Sequence, residues 1–470
     1  MPLQGKFVER EKSFDIHDKY SSEIIDSLPL MESGDVELAV NAALHGLKDM
    51  DALTGFDRQQ VLIRTANSIL ARKERLTEEL IAETGMIRRQ AEFEIERASN
   101  ILRLYAGEVL HLQGEAPTLD ADARGKTHHG YSFRVPVGVV AAISAFNNPL
   151  VLLSHKLGPS IAAGNSVVFK PASLTPLAAV EVCHLLIESG LPSNAINVLT
   201  GNGETLGPAL AGNPHVRVVT FTGGREAGEQ ITRVAGVKRL LMELGSNCPN
   251  IVTSGADLDL ALAKIVSAAY SYQGQNCLHA QRILVQDMVY EEFKQRFTDL
   301  ASKLKMGDPK SASTDIGPMI SEAAAKRVEE WVNEALQVGA KLLLGGRRSA
   351  AFYEPTLLED VPPETRVVSK EIFGPVSVLI RFSDITEAID IANSTEYGLQ
   401  AAIFTPSIDE ALHALKNLQF GTVMINECTD FRVDMMPFGG FKGSGLGREG
   451  VGHSIEAMTE IKMAVYNLGA

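Results

Sequence analysis

Between residues 135 and 243, short apolar runs alternate with segments of helical length. The runs VGVVAAIS, NSVVFK, INVLTG, VRVVTFTGG and KRLLMELG have the length and composition of strands, and glycines end several of the helical segments between them. Parallel strands require crossover connections of this length, which are usually helices. The alternation therefore predicts βαβ units and a doubly wound parallel sheet.

Apolar residues at helical spacing precede this region, and a second α/β series follows it. Helices are expected at residues 35–50, 58–85 and 91–111, and later at 257–272, 290–305, 321–338, 385–394 and 408–418. Strands are expected at RILVQ, PVSVLIRF and AAIFT, and a weak edge strand at residues 461–468. At 470 residues the chain exceeds the size of a single core. We therefore predict a second doubly wound domain starting near Glu243.

Composition and charge exclude several classes of function. The net charge of −14 arises from 58 acidic against 44 basic residues without a basic run, which argues against nucleic-acid and membrane-surface partners. The segment 135–146 is too short for a membrane span, and the N-terminus lacks the apolar region of a secretory signal. The four cysteines lack zinc-site and disulfide spacing, so we expect no metal and a cytoplasmic location.

Glycine-rich segments at strand ends are the first candidates for a ligand site. The chain has no GxxxxGK[ST] motif, which argues against a P-loop enzyme. The segment around Gly203 looks like a dinucleotide motif but lacks the downstream acid, which favours a plain turn there. FTGG follows a strand and opens a helix, where backbone amides attract phosphate.

Polar residues near strand ends leave two interpretations each. Lys170 is a surface lysine or a cation held at the ligand-binding edge of the sheet, and Asn147 is a turn residue or an oxyanion donor. Glu243 is a solvated charge or a general base. Cys277, in the polar segment QGQNCLHAQR, is a buried filler or a nucleophile. These residues taken singly do not decide between the alternatives.

The motifs FNNP, KPAS, FTGG, MELG, GQNC, EIFGP and PFGGFKGSGLGREG occur in one order over nearly the whole chain. In that order they resemble the aldehyde dehydrogenase superfamily, and in particular its succinate-semialdehyde and lactaldehyde dehydrogenase members. The resemblance implies that Cys277 is the nucleophile and Glu243 the general base. It also implies that Asn147 and the Cys277 backbone N–H form the oxyanion hole.

The same resemblance implies a site for NAD or NADP. It assigns the cofactor riboses to Lys170 and Glu371 and the nicotinamide site to Phe373. It places the pyrophosphate near Gly223, Gly224 and Gly228. Further cofactor contacts are expected at Phe146, Ser173, Gly203, Phe221 and Leu244.

The resemblance also implies the domain organisation. We expect a cofactor-binding domain at 1–113 and 135–242, a catalytic domain at 243–452, and a small β-flap at 114–134 and 453–470. In this family the flap builds oligomers, so a homodimer or homotetramer is expected. The fold class is thus α/β, with two doubly wound parallel-sheet domains and an oligomerisation flap.

Two positions depart from the common family pattern. Ser173 stands where NAD-preferring relatives carry an acid, which favours NADP with NAD also accepted. Arg432 stands near an aromatic wall of the substrate tunnel, where a cation would suit small anionic or hydroxylated aldehydes. The alternative is a surface arginine paired with Asp430 or Asp434. Further candidate substrate contacts are His279, Asn276 and Phe438.

The expected function is oxidation of a small polar aldehyde to its acid through a cysteine thiohemiacetal and thioester. One alternative is an acylating enzyme in which coenzyme A resolves the thioester, which the presence of Glu243 disfavours. The other is a catalytically silent relative that acts as a binding or structural protein, which the presence of Cys277, Glu243 and Asn147 together disfavours.

Overall fold

The computed structural model of the chain describes residues 2–3, 6–7 and 9–469. Two antiparallel strand pairs come first, made of β1 (Pro2–Leu3), β2 (Lys6–Phe7), β3 (Ser13–His17) and β4 (Ile24–Pro29). Four helices follow: α1 (Ser33–Asp51), α2 (Gly55–Ala71), α3 (Lys73–Thr84) and α4 (Arg88–Glu108). The single helix expected at 58–85 is two helices, because Arg72 leaves the helical conformation.

The first parallel sheet is built from the strands that the alternating pattern predicts. This region of the chain contains β5 (His128–Pro136), β6 (Val139–Ile143), α5 (Pro149–Ala162), β7 (Ser166–Lys170), α6 (Leu177–Glu188), β8 (Ile196–Val198), α7 (Gly203–Gly212), β9 (Val216–Thr222), α8 (Arg225–Ala235) and β10 (Arg239–Glu243). Of these, β5 lies outside the sheet.

The second half of the chain carries the second sheet. The elements of this half of the chain are β11 (Pro249–Val252), α9 (Leu258–Tyr270), β12 (Arg282–Gln286), α10 (Tyr290–Ala301), α11 (Glu322–Gln337), β13 (Lys341–Leu344), β14 (Arg348–Ser349), β15 (Phe352–Tyr353), β16 (Thr356–Glu359), α12 (Arg366–Ser369), β17 (Val376–Phe382), α13 (Ile385–Asn393), β18 (Gln400–Phe404), α14 (Ile408–Asn417), β19 (Thr422–Ile425), β20 (Gly445–Leu446), α15 (Val451–Ala457) and β21 (Thr459–Asn467).

The first sheet has the strand order β20-β10-β9-β6-β7-β8, and β20 is its antiparallel member. Alternate residues of β6 enter different cores: Val140 and Ala142 pack with α2, α4, α5 and α6, whereas Val139 and Ala141 pack with α1 and α7. Helices therefore cover both faces, as a buried parallel sheet requires. The strand order reverses direction at β6, the position at which doubly wound sheets open a ligand-binding crevice.

The second sheet has the order β13-β16-β17-β12-β11-β18-β19, and all of its pairings are parallel except that of β13. The domain boundary expected at residue 452 stays a prediction, and two elements near it contact the first sheet and its helices. Strand β20 already pairs with β10 of the first sheet, and α15 packs on α4 and α5. The segment after β19 thus returns to the first domain.

A two-stranded antiparallel ribbon stands apart from both sheets. Strand β5 pairs with β21 over nine residues, from Thr459 opposite Pro136 to Asn467 opposite His128. This ribbon joins the two segments expected to form the flap. Among the helices that the structure describes, none is long and apolar enough to cross a membrane.

Candidate active site

A cavity of about 1770 Å³ lies between the two sheets. Its walls include residues that follow β6, β7, β9 and β10 of the first sheet and residues that precede β12 and β17 of the second. Pockets for single small molecules usually measure about 300–1,000 Å³. This cavity therefore has room for a dinucleotide and a second, smaller ligand.

Asn147, Glu243 and Cys277 all line this cavity. Asn147 follows β6, and Glu243 ends β10. Cys277 lies in the loop after α9, where Tyr272, Gln273 and Gly274 all have positive φ. A Cβ on Gly274 would lie 2.1 Å from the carbonyl oxygen of Gly374, so only glycine permits this close contact. The strained turn thereby packs the cysteine loop against the segment that carries Glu371 and Phe373.

The thiol of Cys277 is partly exposed, and its Sγ lies 3.7 Å from Oδ1 of Asn276. Burial raises the pKa of Cys277 well above its ordinary value, and the carboxyls of Glu371 and Glu243 raise it further. The guanidinium of Arg432 acts in the opposite direction. Without a cofactor or substrate, Cys277 is therefore a thiol at neutral pH.

Two buried carboxyl groups, Glu243 and Glu449, titrate very differently. Burial and the charge of Glu449 raise the pKa of Glu243 well above its usual range. Burial also acts to raise the pKa of Glu449, but His155, Arg432 and Lys156 together lower it to about 2. Glu449 is thus the permanent anion of the pair, and Glu243 is the carboxyl group that keeps its proton more readily.

Arg432 is buried, with a side chain that is 8% exposed, and it lines the cavity. Its Nη2 donates to Oε2 of Glu449 at 2.8 Å and lies 3.2 Å from Nε2 of His155. Its guanidinium carbon lies 3.9 Å from the centre of the Phe438 ring. The Nε atom is buried and has no hydrogen-bond partner among the described residues.

The alternative of a surface arginine paired with Asp430 or Asp434 is therefore wrong. Asp434 accepts from Arg97 at 2.7 Å and lies 3.2 Å from Nε2 of His155, and Asp430 accepts from Ser271. The partner of Arg432 is Glu449, in the segment GLGREG that returns to the first domain.

Of the polar residues in the cluster around Arg432, sequence reasoning named only Asp434. Glu449, His155, Lys156, Arg97 and Asp434 form one connected polar cluster with it, and Lys156 donates to Thr222 at 2.7 Å. One signal was available. The pair His155-Lys156 interrupts an otherwise apolar helix, and both residues are buried.

The other expected substrate contacts divide into two groups. Asn276 and Phe438 line the cavity, and so does Leu278. His279 is buried outside the cavity wall, where burial lowers its pKa to about 4. His279 is therefore a buried neutral imidazole, and its expected contact with the substrate stays a prediction.

The residues expected to bind the cofactor form the other end of the cavity. Nζ of Lys170 donates to the carbonyl oxygen of Pro171 at 2.9 Å and to Oγ of Ser173 at 3.3 Å, and burial lowers its pKa to about 8. Ser173 donates to the carbonyl oxygen of Gly201 at 2.5 Å. An added Cβ on Gly203 would lie 3.6 Å from Nζ of Lys170, so this glycine keeps the approach to the ammonium open.

Helix α8 begins at the cavity with Gly223 and Gly224 in its wall. Gly224 is its N-cap residue and supplies no side chain, so the first amides of α8 have no side-chain cap in the described part of the chain. Free amides of this kind bind phosphate. Gly228 lies behind the wall, where an added Cβ would meet the side chain of Leu244 at 2.4 Å. This glycine permits close packing of α8 on Leu244, and its expected contact with the cofactor stays a prediction.

Glu371 and Phe373 complete this end of the cavity. Oε1 of Glu371 accepts the backbone N–H of Ser246 at 2.8 Å, and burial raises the pKa of Glu371 to about 7. Phe373 has φ of 47° and packs edge to face on Phe146, with ring centres 5.6 Å apart. A carboxyl, an ammonium and uncapped amides around one elongated cavity fit the riboses and pyrophosphate of a nicotinamide dinucleotide.

The fold and the site together define an α/β enzyme with a dinucleotide-sized cavity and a cysteine beside a buried carboxyl group. The sequence model of the aldehyde dehydrogenase family matches residues 7–464. The 3-sulfolactaldehyde dehydrogenase of Priestia megaterium is 39% identical over 466 residues, which are 99% of this chain and 97% of the relative. The lactaldehyde dehydrogenase of Methanocaldococcus jannaschii is 39% identical over 470 residues and 99% of both chains.

Solved structures give the same result. Aldehyde dehydrogenase 21 from Physcomitrella patens, crystallised with the reaction product succinate, has a TM-score of 0.95 at 36% identity, covering 99% of this chain and 97% of its own. Glyceraldehyde-3-phosphate dehydrogenase GapN from Methanocaldococcus jannaschii, complexed with NADP, has a TM-score of 0.94 at 38% identity, covering 98% and 100%. The chain belongs to the aldehyde dehydrogenase family. The predicted resemblance, α/β fold class and enzyme class are confirmed.

Proposed function

We propose that the chain oxidises a small polar aldehyde to the carboxylic acid with NAD or NADP, and that Cys277, Asn147 and Glu243 perform the chemistry. The observation that carries this proposal is that all three side chains line one cavity with the dinucleotide-binding set. Cys277 gives up its thiol proton to solvent and, as thiolate, forms a bond to the aldehyde carbon, and the carbonyl electron pair moves to oxygen. The side-chain amide of Asn147 donates to that oxygen.

The nicotinamide, when bound, accepts the hydride that leaves the substrate carbon. A thioester on Cys277 remains. Glu243 takes a proton from water, the water oxygen attacks the thioester, and the carbon–sulfur bond breaks to return the thiolate. The raised pKa of Glu243 suits this role, because a carboxylate with a raised pKa takes a proton more readily than an ordinary one.

NADP is proposed as the better cofactor. Ser173 and the ammonium of Lys170 lie within 3.3 Å of each other at the ribose end of the cavity, and this pair carries one positive charge and no carboxylate. A 2′-phosphate would therefore meet attraction rather than repulsion. The GapN structure that resembles this chain holds NADP, whereas a betaine aldehyde dehydrogenase of Staphylococcus aureus with 31% identity holds NAD+.

The proposed substrate carries a carboxylate, sulfonate, phosphate or hydroxyl group near the aldehyde. Arg432 supports this, because its side chain lines the cavity and its Nε has no hydrogen-bond partner among the described residues. Glu449 already balances the charge of Arg432, so the contact expected is a directed hydrogen bond and not a free charge pair. The relatives named for sulfolactaldehyde, lactaldehyde and succinate agree with this chemistry.

A panel of aldehydes with both cofactors tests the proposal. Succinate semialdehyde, lactaldehyde and propanal are assayed with NAD and with NADP, and the products are identified with and without coenzyme A. We expect acid as the product in all cases, a higher kcat/KM with NADP, and a preference for the two substituted aldehydes. Acyl-coenzyme A as product, or no NAD(P)H formation on the whole panel, would contradict the proposal.

The double substitution Arg432→Met with Glu449→Gln tests the role of Arg432 without leaving one buried charge unpaired. We expect kcat/KM for succinate semialdehyde to fall by about 10- to 100-fold, the usual value of one charge-assisted hydrogen bond, while propanal changes little. Glu449→Gln alone serves as the control. Equal losses on both aldehydes would remove the selective role of Arg432.

The β5–β21 ribbon supports a homo-oligomer. Apolar side chains are exposed on both of its faces, with Tyr131 48% exposed on one and Ile461 65% exposed on the other. A two-stranded ribbon is marginal by itself in water, and exposed apolar clusters of this kind mark contact surfaces. We propose a second copy of this chain as the partner.

A further inference from the structure

Helix α5 begins two residues after Asn147, but its own sequence provides no cap. The N-cap residue Asn148 makes no side-chain cap hydrogen bond within the described part of the chain, and Pro149 has no N–H group. The next two amides, of Leu150 and Val151, would therefore be buried donors without acceptors, which is costly.

Glu94 of α4 supplies the missing acceptor. Its Oε1 accepts the backbone N–H of Leu150 at 2.8 Å and that of Val151 at 3.3 Å, across 56 residues of sequence. The side chain is buried, and its other oxygen, Oε2, has no partner in the part of the chain that the structure describes. Burial raises the pKa of Glu94 to about 8, and the two backbone donors act to lower it.

On its other side, Asn147 borders a small cavity of about 10 Å³, which is also lined by Tyr272, Gln273 and Gln275 of the cysteine loop. A shift of the start of α5 would move Asn147 relative to Cys277. Oxyanion stabilisation depends steeply on donor position, because the donor must lie about 2.7–3.1 Å from the developing charge.

We infer that Glu94 is a positioning residue for the chemical step: it fixes the start of α5 to α4 and thereby sets the position of the oxyanion donor Asn147. This inference rests on the proposed role of Asn147. It concerns a residue that does not line the cavity and does not touch substrate, so its effect must pass through Asn147.

The chain offers a matched control at the neighbouring helix. Glu83 of α3 accepts the backbone N–H groups of Leu177 at 2.7 Å and Ala178 at 3.1 Å, at the start of α6. Glu83 is also fully buried, and burial raises its pKa to about 8. It has the same chemistry as Glu94 but lies at a helix that carries no residue of the chemical step.

A double-mutant cycle tests the inference on the full chain, with propanal as aldehyde and saturating NADP. The variants are Glu94→Leu, Glu94→Gln and Asn147→Ala, with Glu94→Leu also combined with Asn147→Ala; Glu83→Leu is treated in the same way. The readouts are kcat, KM for propanal, and the Kd of NADP from quenching of Trp331, the one tryptophan, which lines the cavity. Glu94→Asp replaces Glu94→Leu in the cycle if the leucine variant does not fold.

We expect Asn147→Ala to lower kcat by about 100- to 1,000-fold and Glu94→Leu by about 10- to 100-fold, with the Kd of NADP unchanged. Glu94→Gln keeps an acceptor oxygen and should stay within about threefold of the parent. In the Asn147→Ala background, Glu94→Leu should cost less than about threefold more, because the two act as one unit. Glu83→Leu should leave kcat near that of the parent in both backgrounds.

Three results would overturn the inference: full kcat in a folded Glu94→Leu variant, equal losses from Glu94→Leu in both backgrounds, or an equal loss of kcat on Glu83→Leu. Full kcat in Asn147→Ala is a different outcome. It would overturn the proposed role of Asn147 and, with it, the inference.

Discussion

At the scale of single residues, the ion pair that Arg432 forms determines the protonation of two buried carboxyl groups. Arg432 forms its ion pair with Glu449 and leaves Glu243 without a direct partner among the described residues, although both carboxyls are buried. Two glutamates in one cluster thereby acquire different protonation behaviour. Glu449 stays ionised, whereas the raised pKa of Glu243 keeps its carboxyl group protonated to a higher pH than an ordinary glutamate.

The raised pKa of Glu243 predicts the pH dependence of thioester hydrolysis. The base form is the carboxylate, so kcat should rise with pH as Glu243 deprotonates, and it should fall as the pH drops through the raised pKa. Glu243→Gln should give a burst of about one NAD(P)H per active site and then a steady rate lower by about 100- to 10,000-fold. Stopped-flow absorbance and mass spectrometry of the acyl-enzyme measure both. An unchanged steady rate would exclude Glu243 as the base.

The state of Cys277 in the free enzyme is open to a direct chemical test. Because its pKa is raised, the rate of alkylation by iodoacetamide without cofactor should increase about tenfold per pH unit between pH 6 and 8.5. Cys277→Ala identifies the labelled site, since Cys183, Cys248 and Cys428 are buried. A plateau of the alkylation rate below pH 8 would show a thiolate at rest and contradict the prediction.

At the scale of helices and strands, local patterns predict what is built locally. Strands β6, β7, β9, β12 and β17 and the helices between them follow from apolar runs and helical spacing, and the ordered motifs predict which residues line the cavity. The hairpin β3–β4 and the short strands β11, β13, β16 and β19 were not predicted. Several of these have four residues, too few for a distinct pattern, and their pairing partners are distant in sequence.

The features that position the site are those that sequence patterns lack. Glu94 and Glu83 accept helix-terminal amides that lie 56 and 94 residues later in the sequence, and no local motif encodes such a contact. The left-handed turn at Tyr272 and Gln273 uses residues that rarely adopt positive φ, so propensity argues against it. The pairing of Arg432 with Glu449, rather than with a nearby aspartate, depends on the return of the chain to the first domain.

The buried cap of α6 predicts how stability depends on pH. The pKa of Glu83 is about 8 in the folded chain against an ordinary value of 4.5, so the folded state binds more protons between these values. Stability should therefore fall as the pH rises from about 5 to 8, by up to about 4 kcal/mol from this group. Glu83→Gln cannot ionise, and its stability relative to the parent should increase over that range. Urea unfolding at pH 5 and pH 8 measures this; a constant difference would contradict it.

At the scale of the whole molecule, the two sheets face the cavity with opposite strand ends. The cavity takes its first-sheet residues from the carboxyl ends of strands and its second-sheet residues, Cys277 and Glu371, from segments before strands. The rule that ligands bind at carboxyl ends therefore locates the cofactor half and not the nucleophile. The segment that returns to the first domain brings Glu449 to Arg432 and leads into the ribbon strand β21.

The exposed apolar face of the β5–β21 ribbon predicts how the chain assembles. Ile461 and Val465 lie on one face of β21 because they are an even number of residues apart in the strand, and they are 65% and 55% exposed. If a second copy covers this face, lysine at both positions would place two charges in an apolar contact and separate the subunits. We expect sedimentation velocity at about 10 µM, well above the Kd of a typical stable protein complex, to give a dimer or tetramer for the parent and a monomer for Ile461→Lys with Val465→Lys. Val237→Lys, at an apolar residue 103% exposed in the loop before β10, adds a lysine at an exposed apolar site far from the ribbon and should keep the parent mass. A parent that is already monomeric, or a double variant that keeps the oligomer, would show that the apolar ribbon serves another contact.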